Sequence, residues 1–215
     1  MNGRLNESSY SLLSLFCLSL LSVSCFEKVP EVSKTLEIPE LGIVLNYEGW
    51  TYEEQDPSLD PVESSKSKTR KPETQKNANV LFYLFENEPT EHPEIRTVIH
   101  FVSEPIPNQN AKVALEDYVA SIGAIYSNLY KGYEVLSVPQ RRDLGNNKAM
   151  FVESKFQLPK SGKDREVRMF QWIVLKDQTA YIFTATTPES EQSKKSKKIL
   201  NTMSSITESK PDSKK

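Results

Sequence analysis

The sequence predicts an α+β domain, a mostly antiparallel sheet covered by helices on both faces. Three observations carry that reading. Residues 166–175 are apolar on both faces of a strand: Val167, Met169, Gln171, Ile173 and Leu175 fall on one, Arg168, Phe170, Trp172 and Val174 on the other. That is the pattern of a central strand covered on both sides. Ala180-Tyr181-Ile182-Phe183-Thr184-Ala185 has the same character and follows after a tight turn at Lys176-Asp177-Gln178. Two amphipathic stretches, residues 111–131 and 188–206, then supply the covering helices.

The chain has 215 residues and a net charge of −2 at pH 7. The length fits one domain with appendages, and the balance lacks the basic excess that marks a nucleic-acid partner. Cys17 and Cys25 are both ahead of the folded part, so neither can staple its core. Arg4 precedes a Leu/Ser-rich run at 12–23. The run is shorter than the about 20 apolar residues that span a membrane and has the length of a signal-peptide core. It ends Leu20-Leu21-Ser22-Val23-Ser24-Cys25. This resembles a bacterial lipobox, in which small residues precede a cysteine that is lipidated; Ser22 stands where leucine is usual, as in the relaxed lipobox of spirochaetal lipoproteins. The resemblance implies a signal segment over 1–24 and acyl chains such as palmitate on Cys25. It also implies a place in the cell envelope outside the cytoplasmic membrane, at the outer membrane or facing the periplasm. Two or more acyl chains anchor stably where one does not.

Residues 25–35 are short and polar and contain Pro30, which suits a tether. The folded domain is expected over 36–206. It opens with a strand or pair of short strands at 36–47, broken near Pro39, and a turn at Glu48-Gly49 before Trp50-Thr51-Tyr52. Residues 53–79 hold only Leu59 and Val62 as large aliphatics. They cannot offset their ordering entropy by burial and are expected to form a long mobile loop. Strands follow at 80–85 and 94–103, the second ended by Pro105 and Pro107. The first helix carries Leu115, Tyr118, Val119, Ile122, Ile125, Tyr126 and Leu129 on its buried face, with Gly132 as its cap. A strand at 133–138, a polar turn at 141–147 and a strand at 149–158 lead to the central hairpin. Thr187 is expected to cap the last helix and Pro188 to open it, with Ile199, Leu200, Met203 and Ile206 as its apolar stripe. Residues 207–215 read as a disordered tail. Trp172 belongs to the core by this reading, and Trp50 to a turn.

Three local patterns resemble the PsbP-like family. They are Asn46-Tyr47-Glu48-Gly49-Trp50 after the first strand, the helix with Leu115-Glu116-Asp117-Tyr118, and Ala180-Tyr181-Ile182-Phe183-Thr184-Ala185-Thr186 before a helix ending near Met203-Ser204-Ser205. The resemblance spans residues 36–206 and implies a helix/sheet/helix sandwich. Proteins of this fold have very different partners, so the resemblance implies no particular ligand.

The chemistry-bearing residues are sparse. Glu88, Glu91, His92, Glu94 and His100 form the one metal-like grouping; His92 and His100 are its imidazole candidates, but their separation matches no recognised ligand spacing, and no metal site is expected. Nucleophile elbows, phosphate loops and paired-histidine helices are missing from the sequence, so neither an enzyme nor a cofactor is expected. Tyr126, Tyr130 and Tyr133 suit core packing better than a binding patch. Lys194, Lys195, Lys197 and Lys198 read as the solvated face of the last helix, partly offset by Glu189 and Glu191. The expected function is a membrane-anchored envelope lipoprotein whose non-catalytic domain binds or helps assemble an envelope or extracellular protein. The alternative is a small-ligand or metal-binding module of the envelope.

Overall fold

The two stretches that are apolar on both faces pair with each other at the centre of the sheet. In the computed structural model the described residues are 34–54, 79–90, 95–106, 113–160 and 163–209, all within the unit Ser33–Lys215. The signal segment, most of the tether, the body of the expected loop and the end of the tail lie outside them.

In chain order the strands and helices are β1 (Thr35–Ile38), β2 (Ile43–Asn46), β3 (Trp50–Glu54), β4 (Asn79–Glu86), β5 (Val98–Pro105), α1 (Leu115–Leu129), β6 (Lys131–Val135), β7 (Gln140–Leu144), β8 (Asn147–Lys160), β9 (Lys163–Lys176), β10 (Thr179–Pro188), α2 (Gln192–Ser204) and β11 (Thr207–Glu208). The large sheet has the order β3-β4-β5-β10-β9-β8-β6, and β7 also pairs with β8. All its pairings are antiparallel. At the centre Trp172 lies opposite Phe183 and Ile173 opposite Ile182. The connecting turn puts Asp177 and Gln178 at φ 48° and 58°, the left-handed pair that a two-residue hairpin requires.

Alternate residues of the central strands feed two different cores. One face carries Phe151, Phe170, Trp172, Val174 and Phe183, and packs against Ile199 and Met203 of α2. The other carries Met150, Val152, Ile173 and Ile182, and packs against Val119 and Ile122 of α1. The fold is therefore α+β, with helices on opposite faces of an antiparallel sheet, as the sequence predicts.

The structure corrects several local expectations. A second sheet, β1-β2-β11, packs beside α2 on the first face, so Thr207 and Glu208 belong to a strand rather than a disordered tail. Thr35 belongs to β1 rather than the tether, and Glu53, Glu54 and Asn79 to β3 and β4 rather than the loop. Residues 140–144 form β7, where a polar turn is expected; four of its five residues are exposed, so it lacks the apolar alternation by which a strand is recognised. Thr187 and Pro188 do not start a helix. Their ladder with β9 continues to Pro188 opposite Val167, and the Thr187 hydroxyl lies 3.0 Å from that of Thr97 inside the core. Tertiary pairing outweighs the local capping signal, and α2 begins only after a 3-10 turn at Glu189–Glu191. The strand expected from 94 begins only at Val98, and Ile95 ahead of it packs with Phe156, Val167 and Met169. Leu129 is exposed. Gly132 (φ +66°) sits in an irregular stretch of β6 and does not cap α1, which ends at Tyr130 with extended backbone. Gly145 (φ +56°) turns β7 into β8 so close to Ile43 that an added Cβ would sit 2.8 Å from its Cγ2. Only glycine allows both that turn and the small sheet's approach.

Candidate functional site

The helix on the second face does not sit flush on the sheet. Between α1 and strands β6, β8 and β9 lies a cavity of about 470 Å³, within the usual range for small-molecule sites. Its wall is apolar: Val119 and Ile122 from α1, Met150 and Val152 from β8, Ile173 from β9, and Val135 and Pro139 at the β6 side. Gly123 is part of it, and a Cβ there would meet nothing within 4 Å. A mid-helix glycine costs about 1 kcal/mol relative to alanine. No crowding requires this one, so Gly123 keeps open space at a cost to the helix.

Polar contacts tie α1 to the sheet near both of its ends. At one end the Tyr118 hydroxyl donates to Glu104 Oε2 at the end of β5, 3.1 Å away. Burial raises the Glu104 carboxyl above its ordinary range despite that bond. At the other end Tyr126 accepts from Gln171 Nε2 at 3.3 Å, and the same amide donates to Thr184 at 3.2 Å. Burial pushes the Tyr126 phenol up to about 12, so it stays protonated at neutral pH. Tyr126 also meets Tyr130 and Tyr133 edge-on, and Tyr130 packs on Phe156. The three tyrosines are half-buried and pack against the core, and Tyr133 also lines the cavity. At the rim Glu116 of α1 pairs with Arg141 of β7. The Glu104 and Gln171 contacts join α1 to β5 and β9 on either side of the stretch that faces the cavity.

The metal-like grouping is not brought together in its described members. Glu88 binds Lys194 at 2.9 Å on the α2 side; hydrogen bonding to that lysine holds its carboxyl below the ordinary range. His100 lies on the opposite face of β5, against Tyr83. Glu91, His92, Glu94 and the lipid-attachment candidate Cys25 lie outside the described residues. Among the described residues no group of three or more His, Cys, Asp or Glu is placed to hold a metal ion, and no helix is long and apolar enough to cross a membrane.

Burial lowers His100 to about 4, against about 6.5 for an unfolded histidine. A base depressed in the folded state leaves the unfolded chain binding more protons between those values, so stability falls on acidification through that window. Urea unfolding between pH 7 and 4 should lose on the order of 3 kcal/mol through this group. His100→Asn should flatten that slope; an unchanged slope would show that His100 protonates freely inside the fold.

The lysines of α2 divide. Lys195 is buried against Glu86, contrary to the expected solvated face, while Lys194, Lys197 and Lys198 border an open polar cleft of about 450 Å³. Lys198 Nζ donates to the Gly49 carbonyl at 3.1 Å, so much of this charge is spent inside the fold. The sequence offers one signal for the cavity: Gly123 within a stretch otherwise regular as a helix.

Fold and cavity define a small α+β domain with a ligand-sized space between helix and sheet. No protein-family profile matches the chain, and no curated protein matches it by sequence. Solved structures similar to it include CyanoP, the cyanobacterial PsbP of Synechocystis, at 11% identity over 81% of this chain and 91% of that one, TM-score 0.48. They also include LpqN of Mycobacterium tuberculosis, a protein involved in cell envelope biogenesis, at 11% identity over 61% and 78%, TM-score 0.45. A Pseudomonas aeruginosa protein of unknown function aligns at 14% identity over 73% and 94%, TM-score 0.42.

Proposed function

We propose that this chain is a non-catalytic binding module of the cell envelope, anchored by acyl chains on Cys25, with the cavity beneath α1 as its ligand site. The observation that carries the binding reading is the open space in front of Gly123, walled by apolar side chains and rimmed by one ion pair. Pre-formed apolar pockets with few polar groups are the usual form of small-ligand sites. An uncharged apolar fluorophore such as N-phenylnaphthylamine should bind the full chain. Gly123→Phe should abolish that binding by filling the space. Gly123→Ala should raise stability by about 1 kcal/mol through helix propensity alone. Undiminished fluorophore binding by Gly123→Phe would place the ligand site elsewhere.

The anchoring reading rests on the short apolar run and the small residues before Cys25. Cells fed labelled palmitate should label the wild type and not Cys25→Ala, and the variant should leave the membrane fraction. Equal labelling of the two would remove the anchor from the proposal.

A further inference from the structure

We propose that the cavity beneath α1 takes a free long-chain carboxylate, with its chain in the cavity and its head on Arg141. The inference rests on the cavity being the ligand site and names what enters it.

The wall selects the chain. Val119, Ile122, Met150, Val152 and Ile173 offer nothing to a polar group, and the Gln171 amide nitrogen is already engaged by Tyr126 and Thr184. The wall is thus mostly apolar, with the Gln171 carbonyl oxygen and the Tyr133 hydroxyl among its few polar atoms, and a charged part of any occupant stays at the rim. A volume of about 470 Å³ suits one chain and is small for a two-chain lipid. The wall also runs on to an apolar surface outside the cavity, since Val135 is 42% exposed and Val138, next to Pro139, is 83% exposed.

The rim selects the head. Arg141 contacts Glu116 through Nη2 alone, and its side chain is 76% exposed. The rest of the guanidinium fork faces no partner among the described residues. Elsewhere in the same molecule Arg168 holds two carboxylates at once, Glu189 through Nε and Nη2 and Glu153 through Nη1. A second carboxylate on Arg141 repeats that arrangement, which suits the planar fork. The rim also lies at the first turn of α1, where Glu116 and Asp117 already face the positive end of the helix dipole, so the attraction for a negative head comes from Arg141.

The test uses the full chain at pH 8, below the micelle concentration, titrated by calorimetry with octanoate, decanoate, dodecanoate and dodecanol. Carboxylate affinity should rise roughly fourfold per added methylene until the cavity is full. Dodecanoate should bind up to about fivefold tighter than dodecanol, the range of an exposed ion pair. Arg141→Gln should erase that preference and leave dodecanol unchanged, and Glu116→Gln should strengthen carboxylate binding by removing the competing anion. Gly123→Phe should abolish binding of all four. Equal affinities for dodecanoate and dodecanol, or a preference that survives Arg141→Gln, overturn the head assignment and leave the cavity standing. No binding of any probe, or binding that survives Gly123→Phe, overturns the cavity as ligand site and this inference with it. Arg141 is exposed and Gly123 faces open space, so these variants should fold; thermal unfolding of each confirms it.

Discussion

Trp50→Ala should destabilise the domain by about 3–5 kcal/mol, as much as Trp172→Ala, because removing a buried aromatic leaves both its transfer energy and a cavity to account for. Trp172 sits on the central strand, 3% exposed, with its ring 4.9 Å from that of Phe151. Trp50 opens β3, at the edge of the sheet, yet is only 1% exposed. α2 and the small sheet close over it. Its Nε1 donates to Thr202 Oγ1 at 2.9 Å, and Lys198 Nζ stands 5.2 Å from its ring centroid. Trp50→Phe should cost less, about 1–2 kcal/mol, since it keeps most of the packing and orphans only the Thr202 hydroxyl. A domain of this size holds about 5–15 kcal/mol in all, so both alanine variants should be visibly unstable in urea. A small loss for Trp50→Ala beside a large one for Trp172→Ala would mean that α2 and the small sheet are loosely attached to the large sheet.

The difference between the two tryptophans shows what was legible in the sequence. Trp172 shares its strand face with Phe170 and Val174, and Met169 and Ile173 fall on the other face, so periodicity alone places it in the core. Trp50 is buried by elements far along the chain; its hydrogen-bond partner Thr202 lies 152 residues away. Nothing within a few residues of Glu48-Gly49-Trp50 reports that cover. The same reason hides β7, whose strand conformation is set by β8 rather than by its own pattern, and the small sheet, where β11 closes on β2. It also explains Thr187, a sound cap by local rules that the β9 ladder claims instead. The candidate site was legible in fragments only. Glu116, Val119 and Ile122 are ordinary helix positions, and Gln171 and Ile173 ordinary strand positions. The cavity lies between a helix and three strands that are distant in sequence, a tertiary property with no local signature except Gly123.

Removing one partner of the buried ion pair beneath α2 should cost about 3–5 kcal/mol, whereas removing both together should cost far less. Lys195 and Glu86 have side chains 3% and 2% exposed and approach to 2.7 Å. Lys195 Nζ approaches Glu86 Oε2, and the other carboxylate oxygen, Oε1, faces Lys198 Nζ. Around them Lys198 stands 3.2 Å from Glu86, and Glu88 and Glu191 stand 3.8 and 3.9 Å from Lys195. With Lys194 on Glu88, three lysines face three glutamates, and the cluster is neutral. Glu86→Leu leaves Lys195 buried with only its two more distant carboxylates, and Lys195→Met leaves Glu86 with Lys198 alone. The first should be the more damaging, because the surviving contacts of Lys195 are longer than the 3.2 Å contact that Glu86 keeps. The double variant Lys195→Met with Glu86→Leu restores neutrality and fills the site with apolar volume. Urea unfolding of the two single variants and the double one gives the coupling directly. Additive losses would show that the two charges do not depend on each other. Strong coupling, with a double variant near wild-type stability, would show that the pair fixes where α2 sits on β4 more than it stabilises the fold.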